Sequence, residues 1–300
     1  MPGCVSILGL GRMGSAAARR LSAAGFRVVL WNRTRERAER VAREVGGDVV
    51  STPAEAAARC GVVHVFVSDD QASYQVLAGE DGVLWAGRGV TVYNHTTVSV
   101  AHSLQMLEWL GRRGQVYVEA PVIGGPPAAE RGELLVLCSS REPGDCGAES
   151  LAALGSVVEL GPPPRAVAAK LAFNDALLGF MASLGEALML AEAYGVEQQV
   201  FIERVLSRTW MSVVVERYRE RFRPEPGRAR FLARLAGKDA RYALDALARM
   251  GLESHVASAA TQYYSLMEGE GLGDADYPSL VGFLAGRGRQ RRVGDGADNP

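Results

Sequence analysis

Val5-Ser6-Ile7-Leu8-Gly9-Leu10-Gly11-Arg12-Met13-Gly14 joins an apolar run to glycines spaced G-x-G-x-x-G, and the helical stretch Met13 to Ala24 follows at once. Strand, glycine turn and helix in that order make a phosphate cradle. The first glycine permits a tight turn and the second lets a pyrophosphate approach the backbone. The third lets the helix pack close to the strand, and the helix N-terminus favours negative charge. Gly9, Leu10, Gly11, Arg12, Met13 and Gly14 are therefore expected to line a dinucleotide. An ordinary strand-to-helix turn is the bland alternative, and the strand-before, helix-after setting argues against it.

Outward from that stretch the chain alternates. Apolar, strand-like runs stand at 5–10, 28–31, 62–67, 90–93, 116–120, 134–139 and 157–160, with helical stretches such as Arg35 to Glu44 and Val98 to Arg113 among them. Runs apolar on nearly every residue suit strands covered on both faces, and the alternation predicts βαβ units. Thr52-Pro53-Ala54-Glu55 has the pattern of a capped helix start. After Gly161-Pro162-Pro163-Pro164 the strand runs largely cease, and Arg165 to Tyr194 predicts one long helix ending near Gly195. Further helices are expected over Glu197 to Ser207, Met211 to Arg221, Phe231 to Met250 and Ser254 to Gly269. The expected fold is α/β: a Rossmann-type doubly wound parallel sheet over 1–163, then an all-α domain over 164–285. A disordered tail is expected over 286–300.

The tip of the second strand, Asn32-Arg33-Thr34, carries no acid. A dinucleotide lacking a 2′-phosphate is usually met there by Asp or Glu, whereas Arg33 can grip a 2′-phosphate bidentately. Asn32 and Thr34 add neutral hydrogen-bonding groups, so the expected cofactor is NADP(H). A solvated Arg33 at a helix start is the alternative. Ser68, after the strand run at 62–67, is expected beside the ribose–nicotinamide path or else in a plain capped loop.

Of the 300 residues 48% are apolar, and the formal net charge is −1. That balance suits a small-molecule enzyme and gives no electrostatic reason to expect nucleic acid. No stretch of about 18 apolar residues suggests a membrane span, and the first residues lack the basic start of a signal peptide. A soluble, cytoplasmic protein is expected. Cys4, Cys60, Cys138 and Cys146 form no CxxC pair, and the expectation is reduced cysteines and no metal site.

Four separated stretches, Gly9 to Gly14, Glu119 to Gly125, Lys170 with Asn174, and Gly237-Lys238-Asp239, occur in the order found in β-hydroxyacid dehydrogenases. The chain resembles that family, and Asn32-Arg33-Thr34 with Pro127 to Gly132 resembles its glyoxylate/succinic semialdehyde reductase branch. The resemblance implies NADPH and hydride transfer to a small aldehyde or keto acid. Lys170 would be general acid in reduction and base in oxidation, and Asn174 would hold the lysine or the substrate hydroxyl. An amine in the otherwise apolar stretch Ala166 to Phe173 needs a partner or a purpose. The resemblance also implies Lys238 near the nicotinamide or a cofactor phosphate, Asp239 in an interdomain hydrogen-bond network, and Phe231 as a wall of the substrate pocket. An exposed ion pair and ordinary core packing are the alternatives. It further implies a homodimer through the helical domain.

Thr96 and the backbone N–H groups of Gly124 and Gly125 are expected to meet a substrate carboxylate, the glycines as an anion nest. Two departures bear on substrate. Ile123 stands where relatives carry a serine, and Phe173 replaces the first of a usual asparagine pair. A lost hydrogen bond to a charged group costs about 1.5–3 kcal/mol. An isoleucine-lined pocket therefore suits a less polar carbonyl or a cyclic imine. An imine reductase or reductive aminase is the alternative activity, although those relatives usually lack the lysine. A non-catalytic NADP-binding module is the alternative of a different class. His95 reads as structural or solvated, with a secondary proton donor as the other reading.

Overall fold

The structure, a computed structural model, describes residues 3–142, 144–225, 227 and 229–291. The chain divides into two compact units between Ala172 and Phe173, later than the expected boundary at 163/164.

In the first unit the strands are β1 (Cys4–Leu8), β2 (Arg27–Trp31), β3 (Asp48–Val49), β4 (Val62–Val65), β5 (Thr91–Asn94), β6 (Val116–Glu119), β7 (Val122–Ile123), β8 (Leu134–Cys138) and β9 (Gly155–Glu159). The helices are α1 (Arg12–Ala23), α2 (Arg35–Val45), α3 (Pro53–Cys60), α4 (Asp70–Ala78), α5 (Val100–Arg112), α6 (Pro126–Arg131) and α7 (Glu149–Leu154). β1 to β6 form one sheet in the order β3-β2-β1-β4-β5-β6, parallel at every pairing. This is the doubly wound arrangement, whose ligand crevice lies beyond the carboxyl ends of the strands. The central strands are buried on both faces, as runs apolar on nearly every residue require. The last two expected strands leave this sheet. β7, β8 and β9 make a separate three-stranded sheet, with β7 antiparallel to β8.

α1 lays Ala16, Ala17, Ala18 and Leu21 into the core. At α3, Thr52 Oγ1 accepts from the Glu55 N–H at 3.1 Å, while Glu55 reaches back to the Ser51 N–H at 2.9 Å. The capping box expected at Thr52 thus closes one residue further out.

α8 (Arg165–Ala193) is continuous across the division. The second unit adds α9 (Gln198–Arg204), α10 (Ser212–Tyr218), α11 (Ala233–Arg249), α12 (His255–Met267) and α13 (Leu280–Arg289). α8 contributes Leu178, Met181, Leu184 and Leu188 to a core completed by Tyr264, Met267 and Leu280. A Cβ at Gly179 would come 2.3 Å from Val256, and one at Gly185 would come 2.7 Å from Leu284. These isolated glycines therefore mark close helix packing.

Three sequence expectations are corrected. The cysteines are not reduced: Cys4 pairs with Cys60, and Cys138 with Cys146. Packing of α3 on β1 brings the first pair of Cα atoms within 5.0 Å, and the loop after β8 folds back to bring the second within 5.9 Å. The stretch from Gly286 to Arg289, expected to be part of a disordered tail, is helical, with Gly288 buried in α13; residues 292–300 lie outside the described ones. Finally, α8 has an 18-residue window of mean hydropathy 1.4, long and apolar enough to cross a membrane, with 44% of that window buried inside the fold. Isolated polar residues, Lys170, Asn174 and Asp175 among them, interrupt its apolar sequence.

Candidate active site

The glycine turn shows why each glycine is needed. Gly9 has φ +92°, and a Cβ there would lie 2.3 Å from the Phe66 carbonyl oxygen. A Cβ at Gly14 would lie 1.9 Å from the Gly9 carbonyl oxygen, whereas at Gly11 nothing stands within 4 Å. The first and third glycines are fixed by packing, and the second faces open space at the N-terminus of α1. That cradle fits a pyrophosphate. Leu10 turns its side chain into the core, with 1% exposed, so only its backbone can line a ligand. Its N–H donates to Asn32 Oδ1 at 2.9 Å, and Asn32 Nδ2 donates to the Thr34 carbonyl at 2.9 Å. Asn32 thus stitches the tip of β2 to the glycine turn. Arg12, Arg33 and Thr34 are exposed around it, and Met13 is half-buried.

Polar side chains at the next strand ends hold loops. Thr96 Oγ1 accepts from the Val67 N–H at 3.1 Å, and Thr96 is buried. Ser68 is exposed and donates to Asp69 at 2.6 Å, while Asp69 caps α4 through the Ala72 N–H at 2.8 Å. His95 Nδ1 faces the Ala120 carbonyl at 2.7 Å, so that nitrogen carries the proton. His95 Nε2 then accepts from His64 Nδ1 at 2.9 Å. Both rings are buried, which holds His95 down at about 4 and His64 well below the usual imidazole range. His95 is a neutral core residue.

Glu119 opens the motif Glu119 to Gly125, where its residue type alone assigns it no role. Glu119 is fully buried at the end of β6. Ser103 donates to Oε1 at 2.5 Å, and the Ala166 and Val167 N–H groups donate to Oε2 at 3.1 Å each. Burial raises this carboxyl, and those donors pull it back. α8 therefore starts at the carboxyl end of β6, on the crevice side. Lys170 follows in its second turn and is half-buried.

Ile123 is half-buried at the end of β7, paired with Leu135. Gly124 has φ +134°, and Gly125 is extended at φ −114° and ψ −179°. The pair therefore lacks the right- and left-handed helical alternation of the expected nest.

In the second unit, Asn174 Nδ2 donates to Asp239 Oδ2 at 2.7 Å, and Lys238 Nζ lies 3.0 Å from Asp239 Oδ1. All three are buried, and Lys238 also stands 4.8 Å over the Tyr242 ring. The ion pair is thus internal, and its bond to Asn174 lies within the helical unit. Phe231 packs at 5.4 Å from Tyr277, while Phe173 is 40% exposed. Among the described residues no group of three or more His, Cys, Asp or Glu is placed to hold a metal ion.

Comparison with known proteins places this geometry in a family. Residues 4–158 match the NAD binding domain of 6-phosphogluconate dehydrogenase. Residues 165–284 match the NAD-binding domain of NADP-dependent 3-hydroxyisobutyrate dehydrogenase. The chain is 28% identical over 289 residues to glyoxylate/succinic semialdehyde reductase 2 of Arabidopsis thaliana, covering 94% of this chain and 80% of that one. The solved structure of 3-hydroxyisobutyrate dehydrogenase from Mycobacterium tuberculosis has a TM-score of 0.79 at 23% identity, covering 95% and 99%. An imine reductase from Pseudomonas sp. has a TM-score of 0.62 at 26% identity, also covering 95% and 99%.

Proposed function

The chain belongs to the NAD(P)-dependent hydroxyacid dehydrogenase family, and from that premise we propose that it reduces a small aldehyde or keto acid with NADPH, Lys170 supplying the proton. When bound, the nicotinamide supplies the hydride. Arg33, with the Thr34 hydroxyl beside it, holds the 2′-phosphate, and the glycine turn, braced by Asn32, holds the pyrophosphate with the N-terminus of α1. The Lys170 ammonium stabilises the developing alkoxide and donates its proton to that oxygen; in the reverse direction the amine takes the proton back. Asn174 lies one turn further along α8 and orients the lysine or the substrate hydroxyl.

The observation that carries this reading is the tethering of the first turn of α8 to the carboxyl end of β6, one turn before Lys170. Composition supports it. The chain holds 33 Lys and Arg, and only Lys170 and Lys238 are lysine. Arginine cannot release a proton in proteins, so an amine is retained only at these two buried or half-buried positions.

Ile123 favours a second reading, a cyclic imine or less polar carbonyl as substrate, because its side chain offers a carboxylate no hydrogen bond. Turnover of glyoxylate, succinic semialdehyde and a cyclic imine with NADPH and NADH, in wild type, Ile123→Ser and Lys170→Met, tests both readings. Wild-type kcat in Lys170→Met refutes the proton-donor role. NADPH binding with no turnover affected would leave only a nucleotide-binding module.

We further propose a homodimer through the helical unit. Leu190, Tyr194, Trp210 and Val213 are each at least 62% exposed there, an apolar surface that association would cover. A clean monomer by sedimentation at micromolar concentration rules this out.

A further inference from the structure

Glu119 sits in the otherwise apolar run Val116-Tyr117-Val118-Glu119-Ala120, and none of the chemistry above uses it. A fully buried carboxylate persists only where donors surround it. Here they come from across the fold. Two are backbone N–H groups in the first turn of α8, where a helix has no internal acceptors to offer and where negative charge is favoured. Ser139 Oγ shares the Ala166 N–H at 2.9 Å, and Ser139 and Glu119 exchange backbone hydrogen bonds at 3.0 Å in both directions. The residues just before the helix, Pro162-Pro163-Pro164, bring no side-chain acceptor of their own. The cap of α8 is therefore a side chain from the sheet. Lys170 follows Ala166 by four residues, one turn later on the same face. The carboxylate thus fixes both the axial position and the rotation of the turn from which the lysine projects.

We propose that Glu119 is the positioning residue for Lys170, anchoring α8 to the end of β6 so that the amine is held at the crevice. Its catalytic consequence rests on the reading of Lys170 as proton donor. The anchoring itself does not.

The test uses the full chain with Glu119→Ala and Glu119→Gln. Glutamine keeps an oxygen to accept from the two N–H groups and an amide to donate to Ser103. Because the chain has only two lysines, reductive methylation with a 13C label gives two lysine signals, assigned by Lys170→Arg. In Glu119→Ala the Lys170 signal is expected to move while that of Lys238 stays. In the unmethylated protein kcat is expected to fall by about tenfold or more, with NADPH affinity changed less than about twofold. Glu119→Gln is expected to restore the signal and most of kcat.

An unmoved Lys170 signal in Glu119→Ala overturns the proposal. Equal disturbance of both lysine signals with loss of NADPH affinity also overturns it, since that marks a general folding role. If Glu119→Ala does not fold, Ser103→Ala carries the same readout, with a smaller displacement of the Lys170 signal expected and none overturning the proposal. Should Lys170→Met keep full activity, the functional reading fails, yet the methyl signals still decide whether Glu119 places the amine.

Discussion

Replacing Asn32 with alanine separates two jobs that the tip of β2 performs. The side chain makes two hydrogen bonds of 2.9 Å, from the Leu10 N–H and to the Thr34 carbonyl. At about 1 kcal/mol net each, their loss costs about 2 kcal/mol, or roughly 30-fold in an equilibrium. Neither bond concerns the 2′-phosphate. Both shape the turn that would hold the pyrophosphate, so the penalty should fall on NADPH and NADH alike and should lower the thermal midpoint. Arg33→Ala removes an exposed guanidinium and leaves those bonds intact. It should weaken NADPH by roughly 10- to 100-fold, the worth of a charge-assisted hydrogen bond of about 1.5–3 kcal/mol, and leave NADH unchanged. Titration of nicotinamide fluorescence with both cofactors on both variants gives the comparison. If Asn32→Ala weakens NADPH alone, or neither cofactor, the stitching role assigned to Asn32 is wrong.

Other outcomes follow from the same geometry. Gly14→Ala should abolish binding of both cofactors in a folded protein, because the new methyl would lie 1.9 Å from the Gly9 carbonyl oxygen; retained affinity would contradict the packing described. Ile123→Ser should raise kcat/KM for carboxylate-bearing substrates by about tenfold, on the scale of one hydrogen bond to a charged group, and steady-state kinetics with glyoxylate would read it. Stability should fall as pH drops from about 6.5 toward 4. His95, held at about 4, stays neutral in the fold but takes a proton in the unfolded chain, a difference of about 3 kcal/mol; His64 acts with the same sign. Glu119, raised by burial, acts with the opposite sign over that range, so urea midpoints that stay flat or rise on acidification would refute histidine dominance. A reductant should lower the midpoint, since the Cys4–Cys60 link closes a separation of 56 residues, worth about 4 kcal/mol by loop entropy; four thiols reactive without reductant would contradict both pairings.

The doubly wound sheet is legible in the sequence because its central strands are apolar on nearly every residue and its glycine turn stands between a strand and a helix. What the sequence hid has physical reasons. β3 and β7 have two residues each, too short for any periodicity. α6 and α7 have six each, with no full amphipathic repeat. β8 and β9 carry the same apolar signal as the main strands, so only pairing distinguishes their sheet. At the candidate site, glycine spacing identified the cradle, and the amine in an apolar stretch pointed to Lys170. The disulfides were invisible because Cys4 and Cys60 meet only through packing of α3 on β1. Glu119 is inconspicuous in the sequence because a single acid at the end of an apolar strand gives no sign of its partners, two of which lie 47 and 48 residues away.

Those partners follow a rule that runs along the carboxyl edge of the sheet. Asn32, just beyond β2, fastens the loop after β1. Thr96, beyond β5, fastens the loop after β4. His95 fastens the segment after β6 through the Ala120 carbonyl, and Glu119 fastens the start of α8. Each strand end thus lends a side chain to the backbone of a neighbouring segment. A parallel sheet needs such fasteners, because its crossover loops find no ladder partners at that edge and their buried N–H and C=O groups must still be satisfied. The glycine turn and the first turns of α8 are consequently referenced to one rigid frame rather than to each other through flexible loops. Hydride transfer demands that kind of placement, since a catalytic group held loosely by about 1 Å loses much of its advantage. Asn32, His95, Thr96 and Glu119 supply that frame from the ends of the strands.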